Sequence, residues 1–185
     1  MMNLTNAPAD LRVEEWRLDA SRMDPELDML AEVLRAVVLG GAGVSFFIPF
    51  SAAQARAFWV EKVLPAMRAG ARRVLVARVN ERIAGTVQLS LAMPPNQRHR
   101  AEVLKLLVHP DARRRGIARA LMIALEDVAR AEGRTLLTLD TVTGSGAEDL
   151  YTSLGYLTAG VIPRYARAAL NPELEDATFM YKELT

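Results

Sequence analysis

The chain has 185 residues, about half of them hydrophobic and a quarter charged, with 23 Lys and Arg against 22 Asp and Glu. That length suffices for one well-buried domain, read here as residues 1–185, and the balanced charge offers no bulk attraction to nucleic acid or an anionic membrane. The absence of cysteine excludes a disulfide framework, a thiolate metal site and a cysteine nucleophile, and it suits a reducing cytoplasm.

Residues 1–15 lack a basic stretch followed by an apolar run, so no signal peptide is expected. The longest uncharged stretch, residues 36–50, is too short to span a bilayer and is broken by Gly40, Gly41, Gly43 and Pro49. Residues 13–18 read as a first strand. Asp24 and Pro25 supply an N-cap and a proline at the first helical position. Leu27, Leu30, Leu34 and Val37 continue at helical spacing until Gly40 and Gly41 end the run. Ser51 and Gln54 form a capping-box pattern. Ala55, Phe58, Trp59 and Val63 follow on one face, and Pro65 is expected to kink or shorten this second helix.

The period then changes from helical to alternating. Residues 73–79 read as a strand and residues 80–82 as a turn. Val87, Leu89, Leu91 and Met93 alternate with Thr86, Gln88, Ser90 and Ala92, which predicts a strand with one buried face. Residues 94–96 interrupt it. Residues 102–109 form a further strand, apolar on both faces towards its end as a central strand would be. Ile117, Ala120, Leu121, Ala124, Leu125 and Val128 make one face of a long helix that Gly133 ends. A strand at 136–139, a short helix at 147–154, and two segments at 156–162 and 178–183 joined by a polar connection complete the order βααβββαβαββ. The strand–helix–strand unit implies parallel pairing and the preceding strands antiparallel pairing, so a mixed sheet flanked by helices on both faces is expected.

The stretch from Val103 to Ala118 carries the most chemistry. A buried strand runs into His109 and Pro110, and Arg113-x-x-Gly116-x-Ala118 then opens the long helix. The first amides of a helix have no internal partner and carry partial positive charge, glycine allows close backbone approach, and three arginines add charge, so the turn suits a phosphate group. The plain alternative is a solvated helix start. The pattern is neither a Walker loop nor a dinucleotide fingerprint, since it lacks their glycines and lysine.

The combination of strand, His-Pro turn, R-x-x-G-x-A and amphipathic helix resembles motif A of the GNAT superfamily of N-acetyltransferases. The segment from Tyr151 through Gly155 to Tyr156 is similar to the Y-x-x-x-G-F/Y segment of the same family. Gln88 to Leu91, Arg100 to Val103, Leu139 to Thr141, Gly144 and Ser145, and Gly40 to Ala42 further resemble the tabtoxin-resistance acetyltransferases, which acetylate a small dipeptide toxin or its amino-acid warhead. The resemblance implies an α/β fold of the α+β type, with a mixed central sheet of six to seven strands, and acetyl-CoA as cofactor. It implies that Leu106, Leu107 and Val108 pair with the pantetheine arm where their strand splays from the strand at 136–140. Arg114, Arg115, Gly116, Ile117 and Ala118 would hold the pyrophosphate, with Arg113, Arg119 and Ser145 as further cofactor contacts or simply exposed polar residues.

The attacking amine must be neutral and the leaving thiolate must gain a proton. Tyr151 is the candidate acid, with a half-buried core tyrosine as the alternative. Glu102 and Asp140 are rival candidates for the base, or for binding the substrate ammonium. His109 is expected to be structural and His99 solvated, and no metal spacing occurs. Phe46, Phe47, Trp59 and Tyr165 are read as core in preference to pocket lining. The expected activity is acetyl transfer to a primary amine of a small molecule through a ternary complex. A protein or peptide acetyltransferase and a non-catalytic acyl-CoA sensor are the alternatives, and the resemblance allows a homodimer.

Overall fold

The computed structural model describes residue 8 and residues 10–185; the reading of residues 1–15 falls largely on residues 1–7 and 9, outside the described residues. A seven-stranded sheet runs through the molecule in the order β1-β2-β3-β4-β5-β7-β6. Its strands are β1 (Arg12–Glu15), β2 (Arg72–Val79), β3 (Arg82–Ser90), β4 (Arg100–Val108), β5 (Leu136–Val142), β6 (Leu157–Arg167) and β7 (Leu174–Glu183). The helices are α1 (Met23–Leu39), α2 (Ala52–Phe58), α3 (Leu64–Arg68), α4 (Ile117–Ala131) and α5 (Gly146–Ser153). Every pairing is antiparallel except β4 with β5, the pair joined by α4, as expected for a strand–helix–strand unit.

Two apolar clusters sandwich the sheet. On one face α4 and Tyr151 of α5 pack Ile117, Leu121, Met122 and Leu125 against Leu75, Val87, Leu89, Val103, Leu137 and Leu139. On the other, α1 and the helices after it pack Leu30, Leu34, Val37 and Trp59 against Val74, Val76, Ile83 and Leu107. Gly85 of β3 lets α4 approach: a Cβ there would lie 2.9 Å from the Leu107 carbonyl oxygen and 3.1 Å from Ile117 Cγ2.

Polar ties lock the helices in place. Arg78, on β2, donates to Glu14 and to buried Glu26, each at 2.6 Å, and Glu26 also accepts from Trp16 Nε1 at 2.7 Å. Burial opposes the Arg78 charge, but the two carboxylates outweigh it and hold its pKa above the ordinary value. Buried Glu126 of α4 accepts from Lys182 of β7 at 2.7 and 2.8 Å, and Lys182 also donates to the Leu154 carbonyl, fixing the end of α5.

The structure corrects several expectations. Asp24 does not cap α1: Arg22 occupies the N-cap without a side-chain bond, and Asp24 instead pairs with Arg56 of α2 at 2.6 Å. The kink or shortening expected of the second helix at Pro65 is met one turn earlier: α2 stops at Phe58 and α-helical geometry resumes only in α3. A π-helical turn, Trp59–Val63, precedes Pro65, and the widened turn accommodates a residue that has no N–H to donate. The β3 strand is buried on both faces, because α1 covers the side that carries Thr86 and Gln88; the Thr86 hydroxyl satisfies itself on the Leu75 carbonyl at 2.9 Å. The polar connection expected between the last two strands is mostly strand, since β6 and β7 pair from Leu157↔Tyr181 to Arg167↔Leu174. The Ser51–Gln54 capping box forms as expected, with both reciprocal bonds present.

Candidate active site

The β4 strand carries a bulge. Thr86 pairs with Leu107 and Gln88 with Leu104, so three steps on β4 oppose two on β3. Lys105 takes the extra position with φ +51°, a left-handed conformation a side chain adopts at a cost. The bulge swings the end of β4 away from β5. The parallel ladder runs only from Arg100↔Leu136 to Glu102↔Thr138, although β4 stays with β3 through Val108 and β5 stays with β7 through Val142. Beyond Glu102 the two strands therefore part, and β4 presents backbone with no β5 partner. Leu106, Leu107 and Val108 line this opening. Leu107 is buried towards α1, whereas Leu106 and Val108 pack on the α4 side.

At the end of the opening, α4 starts without a side-chain cap. Arg114 and Gly116 both adopt left-handed φ values, +62° and +72°, turning the chain so that the free amides of the first helical turn face outward. The first α-helical bond is donated by Ala120 to the Gly116 carbonyl, which leaves the N–H groups of Ile117, Ala118 and Arg119 without helical acceptors. Arg113 and Arg114 are exposed and Arg115 is half-buried. Arg113 reaches the end of α1, its Nη2 4.0 Å from where a Cβ on Gly40 would sit. Arg119 donates to Ser153 Oγ of α5 at 2.5 Å. The Ser145 hydroxyl caps α5 by accepting from the Glu148 N–H, 3.4 Å away, and lies 3.2 Å from Thr141 Oγ1. This cradle of uncapped amides, positive-φ turns and guanidinium groups fits a pyrophosphate.

Tyr151 enters the same opening from the α5 side. It is only 6% exposed, and among the described residues its hydroxyl has no hydrogen-bond partner. Burial first, and the Asp140 carboxylate second, push its pKa well above that of an ordinary tyrosine. Tyr156, packed 5.7 Å from Tyr151, is shifted the same way by burial and then by Glu126.

The sheet face towards α1 carries a polar row. Arg72↔Ser90, Ser90↔Glu102 and Glu102↔Thr138 are successive cross-strand pairs, so their side chains share one face. Gln88 and Asp140 lie two residues along on the same face. Glu102 and Asp140 accept no hydrogen bond from any described residue. Lys105 Nζ bonds Ser45 Oγ at 3.1 Å and stands 5.7 Å from the Phe46 ring centre, pinning the loop between α1 and α2 over the row. Burial lowers the Lys105 pKa, with Asp140 opposing and Arg72 reinforcing the change. Gly43 keeps that loop close to the sheet, as a Cβ there would meet Val142 Cγ2 at 3.1 Å.

The structure thus brings Glu102, Asp140, Tyr151 and the 106–108 segment to one opening, with the 113–118 turn at its end. Sequence reasoning missed the roles of Arg72, Gln88 and Lys105; the only trace of Lys105 was a charge inside the apolar run Val103 to Val108. Trp59 is core as expected, but Phe47 and Tyr165 are 57% and 50% exposed. Phe47 lies in the loop beside Pro49, and Tyr165 lies on edge strand β6, where it meets Phe179, the cross-strand partner of Asp140, edge to face. His109 accepts from the Asp111 N–H at 3.3 Å in the turn, a structural contact, and His99 is exposed. Among the described residues no cluster of three or more His, Cys, Asp and Glu side chains could hold a metal, and no helix is long and apolar enough to cross a membrane.

Comparison with known proteins bears on this arrangement. The model of the acetyltransferase (GNAT) family matches residues 44–156. N-acetyltransferase 8B of Rattus norvegicus is 36% identical over 87 residues, 46% of this chain; the chain spans only 39% of that relative's length. An N-acetyltransferase from Staphylococcus aureus Mu50 superposes with a TM-score of 0.78 at 18% identity, covering 96% of this chain and 100% of that one. The ribosomal-protein-alanine N-acetyltransferase of Brucella melitensis gives 0.76 at 22% identity, covering 94% and 99%. The structure of yncA from Salmonella typhimurium, described with its cofactor acetyl-CoA, gives 0.75 at 20% identity, covering 95% of each chain.

Proposed function

The chain belongs to the GNAT acetyltransferase family, and on that premise we propose that it is an N-acetyltransferase moving the acetyl group of acetyl-CoA to a primary amine of a small molecule. The observation that carries this reading is Tyr151, a buried side chain whose hydroxyl is unbonded among the described residues and within the field of Asp140, at the opening between β4 and β5. When bound, acetyl-CoA supplies an acetyl group activated as a thioester. The free amides at the start of α4, with Arg114, Arg115 and Gly116, would hold its pyrophosphate, and the backbone of the Leu106 to Val108 segment that faces away from β3 would pair with its pantetheine arm. The Val108 amide, which points away from β3 because its neighbour His109 donates to the Ala84 carbonyl, is the proposed donor to the thioester carbonyl.

Asp140 or Glu102 would take a proton from the acceptor ammonium, leaving its nitrogen neutral and nucleophilic towards the acetyl group. Asp140 is the better placed of the two, because its charge is felt by Tyr151. Tyr151 gives its proton to the departing sulfur. Burial raises the tyrosine pKa, which keeps the hydroxyl protonated at neutral pH and so able to donate. No acyl-enzyme step is needed, which agrees with a chain that has no cysteine.

The resemblance to tabtoxin-resistance acetyltransferases supports an amino-acid or dipeptide acceptor, and a role in antibiotic or toxin resistance follows from it. We read residues 1–185 as one domain working in the cytoplasm. Exposed Leu157, Val161, Ile162 and Tyr165 on edge strand β6 support a homodimer. The test is thermal stabilisation by acetyl-CoA followed by CoA release against a panel of small amines. Stabilisation with turnover on amino-acid or dipeptide amines is expected. Stabilisation without turnover on any small amine would shift the reading to a peptide acceptor or a sensor, and no stabilisation would overturn the cofactor site.

A further inference from the structure

Two buried hydrogen-bond donors on the sheet face that carries the polar row, one and two strands from the opening, have no partner among the described residues. Gln88 is 0% exposed; its Oε1 accepts from Arg72 Nη1 at 2.9 Å, while its Nε2 donates to nothing among the described residues. The Arg72 Nε is likewise buried and unmatched. A buried donor left without an acceptor is costly, and two of them on one surface mark a place where an acceptor is missing. Both are donors, and one belongs to a cation, so the missing group is an anion with fixed oxygens. Glu102, the nearest carboxylate in charge terms, makes no salt bridge to Arg72 and does not complete the set.

We infer that Arg72 and Gln88 form a subsite for a carboxylate of the acceptor, so that the substrate carries its amine and its carboxylate at opposite ends of the polar row. This rests on the acetyl-transfer reading above. The amine end belongs at Asp140 and Tyr151 on the β5 side, and the carboxylate end at Gln88 and Arg72 on the β3 and β2 side. Strands β3 and β5 stand two spacings apart, about 10 Å between backbones, and wider where β4 and β5 part. Side chains of one face stand roughly perpendicular to the sheet, so this separation sets the distance between the acceptor's amine and its carboxylate, with Arg72 one strand further from Asp140 than Gln88. An α-amino acid acetylated on its α-amine is too short to touch both ends. A dipeptide with free termini fits, and so does an amino acid acetylated on a side-chain amine. Lys105, bonded to Ser45, stands between the two ends and balances Asp140.

The experiment compares kcat/KM for dipeptides and their C-terminal amides, and for free lysine and lysinamide, in the wild type and in Arg72→Met and Gln88→Leu. The wild type is expected to favour the acids about 10- to 100-fold, mainly through KM, the effect of one or two charge-assisted hydrogen bonds. The preference should fall to within about threefold in both variants. The dipeptide and lysine arms separate the two sources of the same chemistry. Retained stabilisation by acetyl-CoA verifies that the variants fold. Thermal shift of the CoA-saturated protein by each acid and amide reads the subsite without turnover. Acid-specific stabilisation lost in Arg72→Met would keep the subsite even if no acetyl transfer were found. Equal kcat/KM and equal stabilisation for acid and amide in the wild type would overturn it, leaving water as the partner of the two donors, as would a preference that persists in both variants.

Discussion

Gly85→Ala tests how the cofactor turn is held in place. The added Cβ would stand 2.9 Å from the Leu107 carbonyl oxygen, 3.1 Å from Ile117 Cγ2 and 3.2 Å from Leu121 Cδ1. The first of these is backbone of a central strand and cannot swing aside. The other two belong to the first turns of α4, so the strain is relieved by pushing the N-terminus of that helix outward. Overpacking of this kind costs about 1–3 kcal/mol. Reduced freedom of the unfolded chain returns about 0.4–1 kcal/mol. Gly146→Ala is the control: it makes the same chemical change where a Cβ meets nothing within 4 Å, so only the unfolded-state gain remains. The difference between the two variants isolates the steric effect, about 2–12 °C in Tm for a chain of this size. Calorimetry reads the Tm, and titration with acetyl-CoA reads the cradle, which should weaken in Gly85→Ala alone. Equal Tm values for the two variants would refute the packing argument, and an unweakened cradle would refute the link from Gly85 to α4.

Tyr151→Phe should lower kcat by about 10²–10⁴ with acetyl-CoA stabilisation retained; turnover within threefold of wild type would remove Tyr151 from the acid role. Because the folded pKa values of Tyr151 and Tyr156 are raised, the native state keeps two protons that the unfolded chain loses above about pH 10. Stability should therefore be intact below that pH and fall above it by up to about 2.7 kcal/mol per pH unit, with each Tyr→Phe change removing half of the slope in alkaline denaturation. Lys105 acts in the opposite sense: its folded pKa is lowered, so its burial costs stability at neutral pH, a cost that vanishes above about pH 10.4. Lys105→Met should accordingly hold or raise Tm at pH 7 while slowing turnover, and a clear drop in Tm would show that its bond to Ser45 outweighs the burial cost. Arg78→Met leaves Glu26 buried with only exposed Arg22 and buried Trp16 as partners among the described residues and should cost about 3 kcal/mol in urea unfolding; the double variant with Glu26→Leu should recover much of it.

The features legible in the sequence are local ones. The capping box at Ser51, the α4 stripe and the glycine–arginine turn each depend on residues a few positions apart, and each forms where the spacing puts it. The element order follows, because hydrophobic period distinguishes strand from helix without knowledge of partners. Tyr151, Glu102 and Asp140 were identified through a resemblance and do reach one opening, although no spacing along the chain requires it. Pairing decided the rest. The bulge at Lys105 exists because β4 must match β3 two residues against three, and no alternation within residues 100–108 encodes that count. The length of β6 and β7 comes from their mutual ladder, which lets exposed polar residues adopt strand geometry. Arg72, Gln88, Glu102 and Asp140 stand on four different strands, up to 68 positions apart in the chain. Only the stacking of those strands in the sheet brings their side chains to a common face, which is why the tertiary structure alone could disclose the two unmatched donors beside them.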